Sequence, residues 1–386
     1  MNILIFGLGM YVIGSDDNSY GTIFPALLEF QKKNKKINKV IFYKKTKKNI
    51  NKIKNKINYQ FNKHNTFFKF EIRCDEDSKI KKFISNTKEH TISIICLPDH
   101  LHFHYASLCI KKNLHCLVVK PLTYNLSEAK KLSNLSEKNN LYTSVEFHKR
   151  LDKQNLILRD NFNKTKFGLP LYSIVEFSQR KIIPSKNFNK WSSKTNILNY
   201  LGVHYIDLMR FISGATPNRV MAIGQNCWLK NNQINNYDSI QCLIEWRIKK
   251  HKFIQNINVN WIDPNNTSAM SDQKIKVIFS NGRIECDQKN RGIEIVTDQK
   301  GIEHINPDFC VEYGNSENNY FWDGYGINSV LVFLEDTLKL YSNKITVKKL
   351  NKIRPTFKEA IYSSAILDYA NKSLKSSNNS WLKIKI

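Results

Sequence analysis

The sequence predicts a chain of two halves, the first α/β and the second α+β. In residues 1–148, continuous apolar runs alternate with helical patterns, the signature of a parallel sheet covered by helices on both faces. In residues 149–386, strand-like runs follow one another closely, as in an open-faced, largely antiparallel sheet with flanking helices. A chain of 386 residues is long enough for each half to bury its own core.

The strand-like runs of the first half are Asn2–Phe6, Lys39–Tyr43, Phe67–Ile72, Thr91–Leu97, His115–Val119 and Tyr142–Phe147. Between them, Ile23–Lys33 places Phe24, Leu27, Leu28 and Phe30 on one helical face. Lys44–Lys56 reads as one exposed helix, rich in Lys, Asn and Ile. Asp99–Asn113 follows a strand directly, with Asp99 placed to cap it. Ser127–Asn139 is preceded by Asn125, which with Glu128 has capping-box spacing. In the second half, strands are expected at Leu171–Ser178, Arg219–Leu229, Ser239–Trp246, Phe253–Trp261, Lys274–Phe279 and Gly282–Cys286. Helices are expected near Val203–Ser213, Ile327–Tyr341 and Pro355–Leu374, and there is no internal repeat.

Composition narrows the class. The net charge of +27 arises where Lys, Asn and Ile are abundant together, the mark of AT-rich codon usage. The excess is spread as KKNKK, KKTKK and KIKNK on solvent-facing stretches, without an RNA-binding aromatic motif or a zinc finger. Nucleic acid is therefore not an expected partner, whereas anionic small molecules are attracted by such a balance. No apolar stretch reaches the roughly 18 residues of a membrane span. The opening MNILIFGLG lacks a basic n-region and reads as a buried strand, so a cytoplasmic protein is expected. The eight cysteines form no CxxC pair and no Cys/His cluster of zinc spacing; reduced thiols packed in cores are expected, and no metal.

GLGMYVIG follows the first strand immediately. Gly7 permits a tight turn and Gly9 lets the backbone approach a pyrophosphate, with Met10 next in line. The third glycine position of a dinucleotide fingerprint holds Val12, and the insert SDDNSYGT precedes the helix at Ile23. A glycine turn of some other α/β protein remains the alternative. After the second strand, Tyr43 is followed by Lys44, Lys45, Thr46 and Lys47. A cofactor without a 2′-phosphate usually meets a carboxylate there. With none available, NADP is favoured slightly over NAD, with Lys44 toward the 2′-phosphate; the other reading is that these lysines are simply solvated.

The segment CLPDHLHFHYASLCIKKNLHCLVVKPL puts a Pro-Asp turn and, one strand later, a Lys-Pro pair at the carboxyl edge of a parallel sheet. It resembles the TPxxxH…EKPL region of the glucose-fructose oxidoreductase / inositol dehydrogenase / MocA (Gfo/Idh/MocA) family. Pro98, Asp99 and His102 stand in the first part and Lys120, Pro121 and Leu122 in the second, while the family's glutamate before the lysine is Val119. NYLGVHYIDLMRFISG resembles the family's DxGxHxxD helix: His204 matches its catalytic histidine, Asp207 its following acid, and Tyr200 takes the place of the first acid. SVEFHKRLD resembles the entry into the second domain, with Glu146, His148 and Arg150 near the cleft or, alternatively, in interdomain salt bridges. Looser likeness, through the stretch before Gly292 and the closing RPTFKEAIYSSAILDYANKSL, covers the rest of the chain.

The resemblance implies a Rossmann nicotinamide-dinucleotide-binding domain over residues 1–148 and a substrate-binding and oligomerisation α+β domain over 149–386. Cofactor contacts would come from Gly7, Gly9, Met10, Lys44, Leu97, Pro98, His102 and Lys120. A sugar, polyol or nucleotide-sugar would meet Lys120, His148, Arg180, Tyr200 and His204, with Lys120, His204 and Tyr200 catalytic and Gly202 letting the backbone pass near the cofactor side. Hydride transfer at a carbinol carbon is the implied reaction, with His204 as base and Lys120 polarising the oxygen. Two alternatives stand beside it: net redox-neutral chemistry with a bound cofactor, and a non-catalytic regulatory protein on the same fold. A homo-oligomer is expected from the family alone.

Overall fold

The computed structural model describes residues 1–15, 19–87, 90–189, 191–315, 317, 319–376 and 380–386. It divides into two compact units: Met1–Leu122, Ser127–His148 and Asp308–Ala360 in the first, and Thr123–Leu126, Lys149–Pro307 and Ile361–Ile386 in the second.

The first unit runs β1 (Asn2–Phe6), α1 (Met10–Ile13), α2 (Ile23–Asn34), β2 (Lys39–Tyr43), α3 (Ile50–Lys63), β3 (Lys69–Arg73), α4 (Asp77–Ser85), β4 (Thr91–Ile95), α5 (His102–Ile110), β5 (His115–Val119), α6 (Leu126–Lys138) and β6 (Thr143–Glu146). Its six strands lie in the order β3-β2-β1-β4-β5-β6 and every pair is parallel. The strand order reverses beside β1, which is where ligands bind in such sheets, outside the carboxyl ends of the strands. All six apolar runs became strands, within two or three residues of their expected ends.

The helices differ more. α3 starts at Ile50, not at Lys44, and continues to Lys63, because the apolar spacing of Ile53, Ile57 and Phe61 extends past Lys56. Asp99 does not cap α5: it opens a separate 3-10 turn, Asp99–Leu101, and α5 begins at His102 with no side-chain cap. At α6 the backbone N–H of Leu126 donates to Asp368 at 3.2 Å, so a carboxylate from far along the chain meets its start.

The second unit contains α7 (Lys153–Phe162), β7 (Pro170–Arg180), α8 (Val203–Ser213), β8 (Thr216–Gln225), α9 (Trp228–Asn231), β9 (Ser239–Ile248), β10 (His251–Asp263), β11 (Ser271–Phe279), β12 (Gly282–Asp287) and a hairpin of β13 (Glu294–Thr297) and β14 (Gly301–His304). In its large sheet the neighbours are β12-β11-β7-β10-β9-β8, antiparallel throughout except for β7 with β10, which is parallel. Phe253, Gln255, Ile257, Val259 and Trp261 alternate inward along β10. Gln255 is satisfied there by Trp246 Nε1 at 3.0 Å and by donation to the Tyr205 carbonyl of α8, also at 3.0 Å. The strand expected over Arg219–Leu229 stops at Gln225. The Asp238 carboxylate takes the backbone N–H groups of Cys227, Trp228 and Leu229 at 2.6, 2.6 and 2.8 Å and turns the chain into α9.

The chain then returns to the first unit with β15 (Val311–Gly314), β16 (Tyr320–Asp323), α10 (Tyr325–Tyr341) and α11 (Val347–Ile353), before α12 (Phe357–Lys375) and β17 (Leu382–Lys383), the latter beside β8. A single division after residue 148 does not capture this return. The reason lies in α10, whose Ile327, Val330, Phe333 and Leu334 share one core with Phe24, Leu27 and Leu28 of α2. Asp336 of α10 is 1% exposed, receives Arg354 Nε at 2.6 Å and accepts from Tyr142 Oη at 3.3 Å. Removing one partner of a buried pair strands the other. Asp336→Ala is expected to lower stability by about 3 kcal/mol, read as a fall in the denaturant midpoint at constant slope; an unmoved midpoint would show that the pair contributes nothing to the return.

Candidate active site

In the first unit the parallel register brings the ends of β1, β2, β4, β5 and β6 to one edge. Gly7 leaves β1 at φ +100° and donates its N–H to the Tyr43 carbonyl at 3.0 Å. A Cβ there would lie 2.2 Å from the Cys96 carbonyl oxygen, so the position admits only glycine. Gly9 is exposed, and a Cβ added to it would meet nothing within 4 Å. That open side is where a phosphate can approach the backbone. Val12, at the third glycine position, is fully buried in the core. The fingerprint departs here because the helix does not start at once: α1 is a single turn, and α2 begins only at Ile23. The insert folds back on α1, with Thr22 N–H donating to the Tyr11 carbonyl at 2.8 Å and Gly21 at φ +68° passing under residues 10–12. Residues 16–18 of the insert lie outside the described residues.

Lys44 follows β2. Its ammonium donates to Thr46 O at 3.0 Å and to Thr46 Oγ1 at 3.1 Å, and its N–H donates to the Arg73 carbonyl at 2.8 Å. Arg73, at the end of β3, binds Asp75 at 2.6 Å and lies over the Phe83 ring at 4.5 Å.

Leu97 and Pro98 follow β4, and Lys120 follows β5 with a cis peptide bond to Pro121. His102 joins these two ends. It is fully buried, with Nδ1 2.7 Å from the Pro121 carbonyl and Nε2 2.8 Å from the Leu97 carbonyl. Burial lowers its pKa. Both ring nitrogens face backbone, so His102 fixes the two loops relative to each other. Lys120 is half-exposed, yet burial of its ammonium brings its pKa down to about 8, against the pull of Asp99 and Glu146.

At the end of β6, Glu146 is 2% exposed and accepts from Ser329 Oγ of α10. His148 Nδ1 lies 3.1 and 3.2 Å from its two carboxylate oxygens and 3.4 Å from Tyr11 Oη. The His148 ring packs against Tyr325 at 5.7 Å and Phe309 at 5.3 Å. His148 is thus a buried partner of Glu146 in the first unit, and Glu146 is engaged there by His148 and Ser329.

In the second unit His204 is the second residue of α8 and is 5% exposed, with the Phe177 ring 6.5 Å away. Tyr200 stands on the π-helical turn Leu198–Gly202 before α8, half-buried among Phe188, Trp261 and Trp191 at 5.1, 5.8 and 6.0 Å. Gly202 serves packing: a Cβ there would lie 2.5 Å from the Leu198 side chain. Asp207 is held by Arg150 in a bidentate pair at 2.7 and 2.6 Å, so Arg150 makes this bridge within the second unit. Arg180 ends β7 and holds Thr267, with Nε 3.1 Å from its Oγ1 and Nη2 donating to its carbonyl.

Two further polar groups of the second unit were not legible in the sequence. Lys149 is 2% exposed, 2.5 Å from Gln273 Oε1 and 4.9 Å from the Tyr205 ring. Asp152 caps α7 through Gln154 N–H at 3.1 Å and takes Arg291 at 2.5 Å. Nothing in HKRLD marks which of its charges goes inward. Of the cysteines, Cys227 is exposed, against the expectation that all are packed; Cys109, Cys116, Cys242 and Cys286 are buried. Among the described residues no helix is long and apolar enough to cross a membrane, and no group of three His, Cys, Asp or Glu is placed to hold a metal ion.

A glycine turn at the switch point of a parallel sheet, open beside Gly9 and edged by a half-exposed lysine, defines a Rossmann-type nucleotide-binding fold coupled to an α+β unit. Residues 2–147 match the oxidoreductase family with an NAD-binding Rossmann fold, and residues 158–285 match the GFO/IDH/MocA C-terminal domain. The chain belongs to the Gfo/Idh/MocA family. It is 27% identical over 154 residues to UDP-N-acetylglucosamine 3-dehydrogenase of Acidithiobacillus ferrooxidans, an alignment spanning 40% of this chain and 45% of that one. It is 22% identical over 211 residues to myo-inositol 2-dehydrogenase of Thermotoga maritima, spanning 54% and 60%. The chain therefore covers about half the length of these relatives. Its fold is similar to scyllo-inositol dehydrogenase from Lactobacillus casei with bound NAD(H) and scyllo-inositol (TM-score 0.69, 12% identity, 99% and 98% covered). It is also similar to myo-inositol 2-dehydrogenase from Lactobacillus plantarum (TM-score 0.67, 14% identity, 100% and 99% covered).

The two glycines should behave differently. Gly7→Ala meets both a positive φ and a backbone clash and should destabilise the protein by about 1–3 kcal/mol. Gly9→Ala has room and an ordinary φ, so thermal stability should hold while dinucleotide affinity falls about tenfold, measured by calorimetry. Equal stability of the two variants would contradict this division.

Proposed function

We propose that the chain is an NAD(P)-dependent oxidoreductase that transfers a hydride at a CH–OH carbon of a sugar, polyol or nucleotide-sugar. The observation that carries this is Lys120: an ammonium partly desolvated by burial, on the same sheet edge as a glycine turn with an open backbone. The relatives named above are dehydrogenases of a nucleotide-sugar and an inositol, which supports the same reaction class.

The residues present fit a dinucleotide. The backbone of Gly7, Gly9 and Met10 would hold its pyrophosphate, Leu97 and Pro98 would lie toward the nicotinamide, and Lys44 would lie toward a 2′-phosphate. When bound, the nicotinamide supplies the acceptor for the hydride. In oxidation, Lys120 donates a hydrogen bond to the substrate oxygen and stabilises its developing charge. His204 takes the hydroxyl proton, and Tyr200 positions the substrate from its aromatic surround. We assign His102 to fixing the loops of Leu97 and Pro121, Arg180 to the Thr267 turn and His148 to Glu146, as positioning residues. The expected homo-oligomer is part of this reading, and light scattering on the purified protein reads it.

A screen of sugars, polyols and nucleotide-sugars for cofactor reduction tests the function; no turnover, with tightly retained cofactor, would favour redox-neutral chemistry. With a substrate in hand, Lys120→Met and His204→Asn should each lower turnover by about 10²–10⁴-fold while cofactor binding persists. Because Lys120 works protonated, kcat/KM should fall as pH rises through about 8, and Lys120→Arg should remove that fall. On the cofactor, NADP should bind at least as tightly as NAD, and Lys44→Glu should reverse the order; a clear NAD preference in the unaltered protein removes the role given to Lys44.

A further inference from the structure

Glu146 closes β6, and the sheet register sets it opposite Val119, the last residue of β5. The next residue along β5 is Lys120, so the carboxylate and the lysine leave adjacent parallel strands at the same edge. A carboxylate this deeply buried needs donors, and Glu146 has them from three directions. Ser329 donates from α10, His148 approaches from the chain just beyond β6, and the Tyr11 hydroxyl of α1 also hydrogen-bonds the carboxylate. These partners are hydroxyls and an imidazole.

We propose that Glu146 is the positioning residue of Lys120: held by Ser329 and His148 at the end of the adjacent strand, its carboxylate is the counter-charge of the neighbouring ammonium. Position 119 of this chain is a valine, so β5 itself supplies no carboxylate beside Lys120, and the adjacent strand does. The electrostatics run the same way. Burial pulls Lys120 down, and Asp99 and Glu146 oppose it. Burial raises Tyr11 and Cys96 as well, and Glu146 raises both further, so its field reaches the glycine turn and the end of β4. The titratable groups that act on Lys120 or feel it are Asp99 after β4, Glu146 at the end of β6 and His102 of α5, and Glu146 in turn acts on Tyr11 and Cys96 and binds His148.

The inference rests on the role given to Lys120 in hydride transfer, but its test does not need turnover. The full chain is labelled with trace acetic anhydride across a pH series, and the peptide carrying Lys120 is followed by mass spectrometry, since only the neutral amine reacts. The unaltered protein should give a midpoint at about 8. Glu146→Gln should lower it by about one pH unit, the effect of removing a close opposite charge. Glu146→Asp keeps the charge but retracts it and should lower the midpoint by less. Asp99→Asn should lower it independently, which separates the two carboxylates. A folded Glu146→Gln variant whose midpoint coincides with the unaltered protein overturns the proposal. If Glu146→Gln does not fold, a Glu146→Asp midpoint equal to the unaltered one overturns it instead. Should the labelling midpoint move while the pH profile of turnover does not, the role of Glu146 stands and the catalytic role of Lys120 falls.

Discussion

Desolvation at the carboxyl edge of the parallel sheet is the constraint on which the first unit depends. Strands covered on both faces bury most of the groups at their ends, so each polar group buried there must find a partner within the edge. His102 sets one ring nitrogen against the Pro121 carbonyl and the other against the Leu97 carbonyl, and in its neutral form donates to one of the two. Gly7 spends its N–H on Tyr43, and can do so only because no side chain stands between it and Cys96. The same dryness strengthens every charge interaction. It lowers Lys120 toward the range where a proton can be exchanged, and it leaves Glu146 needing several donors at once.

Part of that edge is supplied from far along the chain. Ser329, Phe309 and Tyr325, which surround Glu146 and His148, all belong to the return segment Asp308–Ala360. Cys310 Sγ contacts the Gly21 carbonyl at 3.2 Å, so the insert after the glycine turn rests on the same segment. Trp322 N–H donates to Glu29 of α2 at 2.9 Å, and its ring stacks on His64 of α3 at 6.2 Å. The segment therefore belongs to the core of the first unit, with α10 sharing one cluster with α2 and the sheet. Its own packing comes from α10 against α2, in the core cluster that also holds Leu8, Val12 and Ile13 of the glycine turn and α1.

What the sequence made legible follows from range. Strands buried on both faces are read from composition over a few residues, and β1, β2 and β5 lie where the apolar runs put them. Gly7 was readable because one backbone geometry excludes every other residue. Val12 was legible only as a departure: with α2 delayed to Ile23, its position faces the core and not a closely packed helix, so a side chain is needed where the fingerprint has none. Partnerships were not legible. Arg150 and Asp207 are separated by 57 residues, and the motif that marked Asp207 says nothing of what holds it. Lys149, between a histidine and an arginine, carries no local sign that it alone turns onto the rings of Tyr205 and Phe177.

The Arg150–Asp207 pair also bears on the chemistry available to His204. Asp207 follows His204 on the same helix, and an unpaired carboxylate there would favour the imidazolium. Its bidentate pairing at 2.7 and 2.6 Å makes the two groups neutral together, so α8 presents His204 with little net charge from that side. The position where the family has its first acid holds Tyr200, uncharged among Phe188, Trp191 and Trp261. In the proposed reaction the proton acceptor of the second unit is His204, set beside the Phe177 ring on the same helix as the paired Asp207. In the first unit, burial of the Lys120 ammonium is opposed by the carboxylates of Asp99 and Glu146. A carbinol that loses a hydride and a proton needs both, a neutral acceptor for the proton and a charged donor for the oxygen.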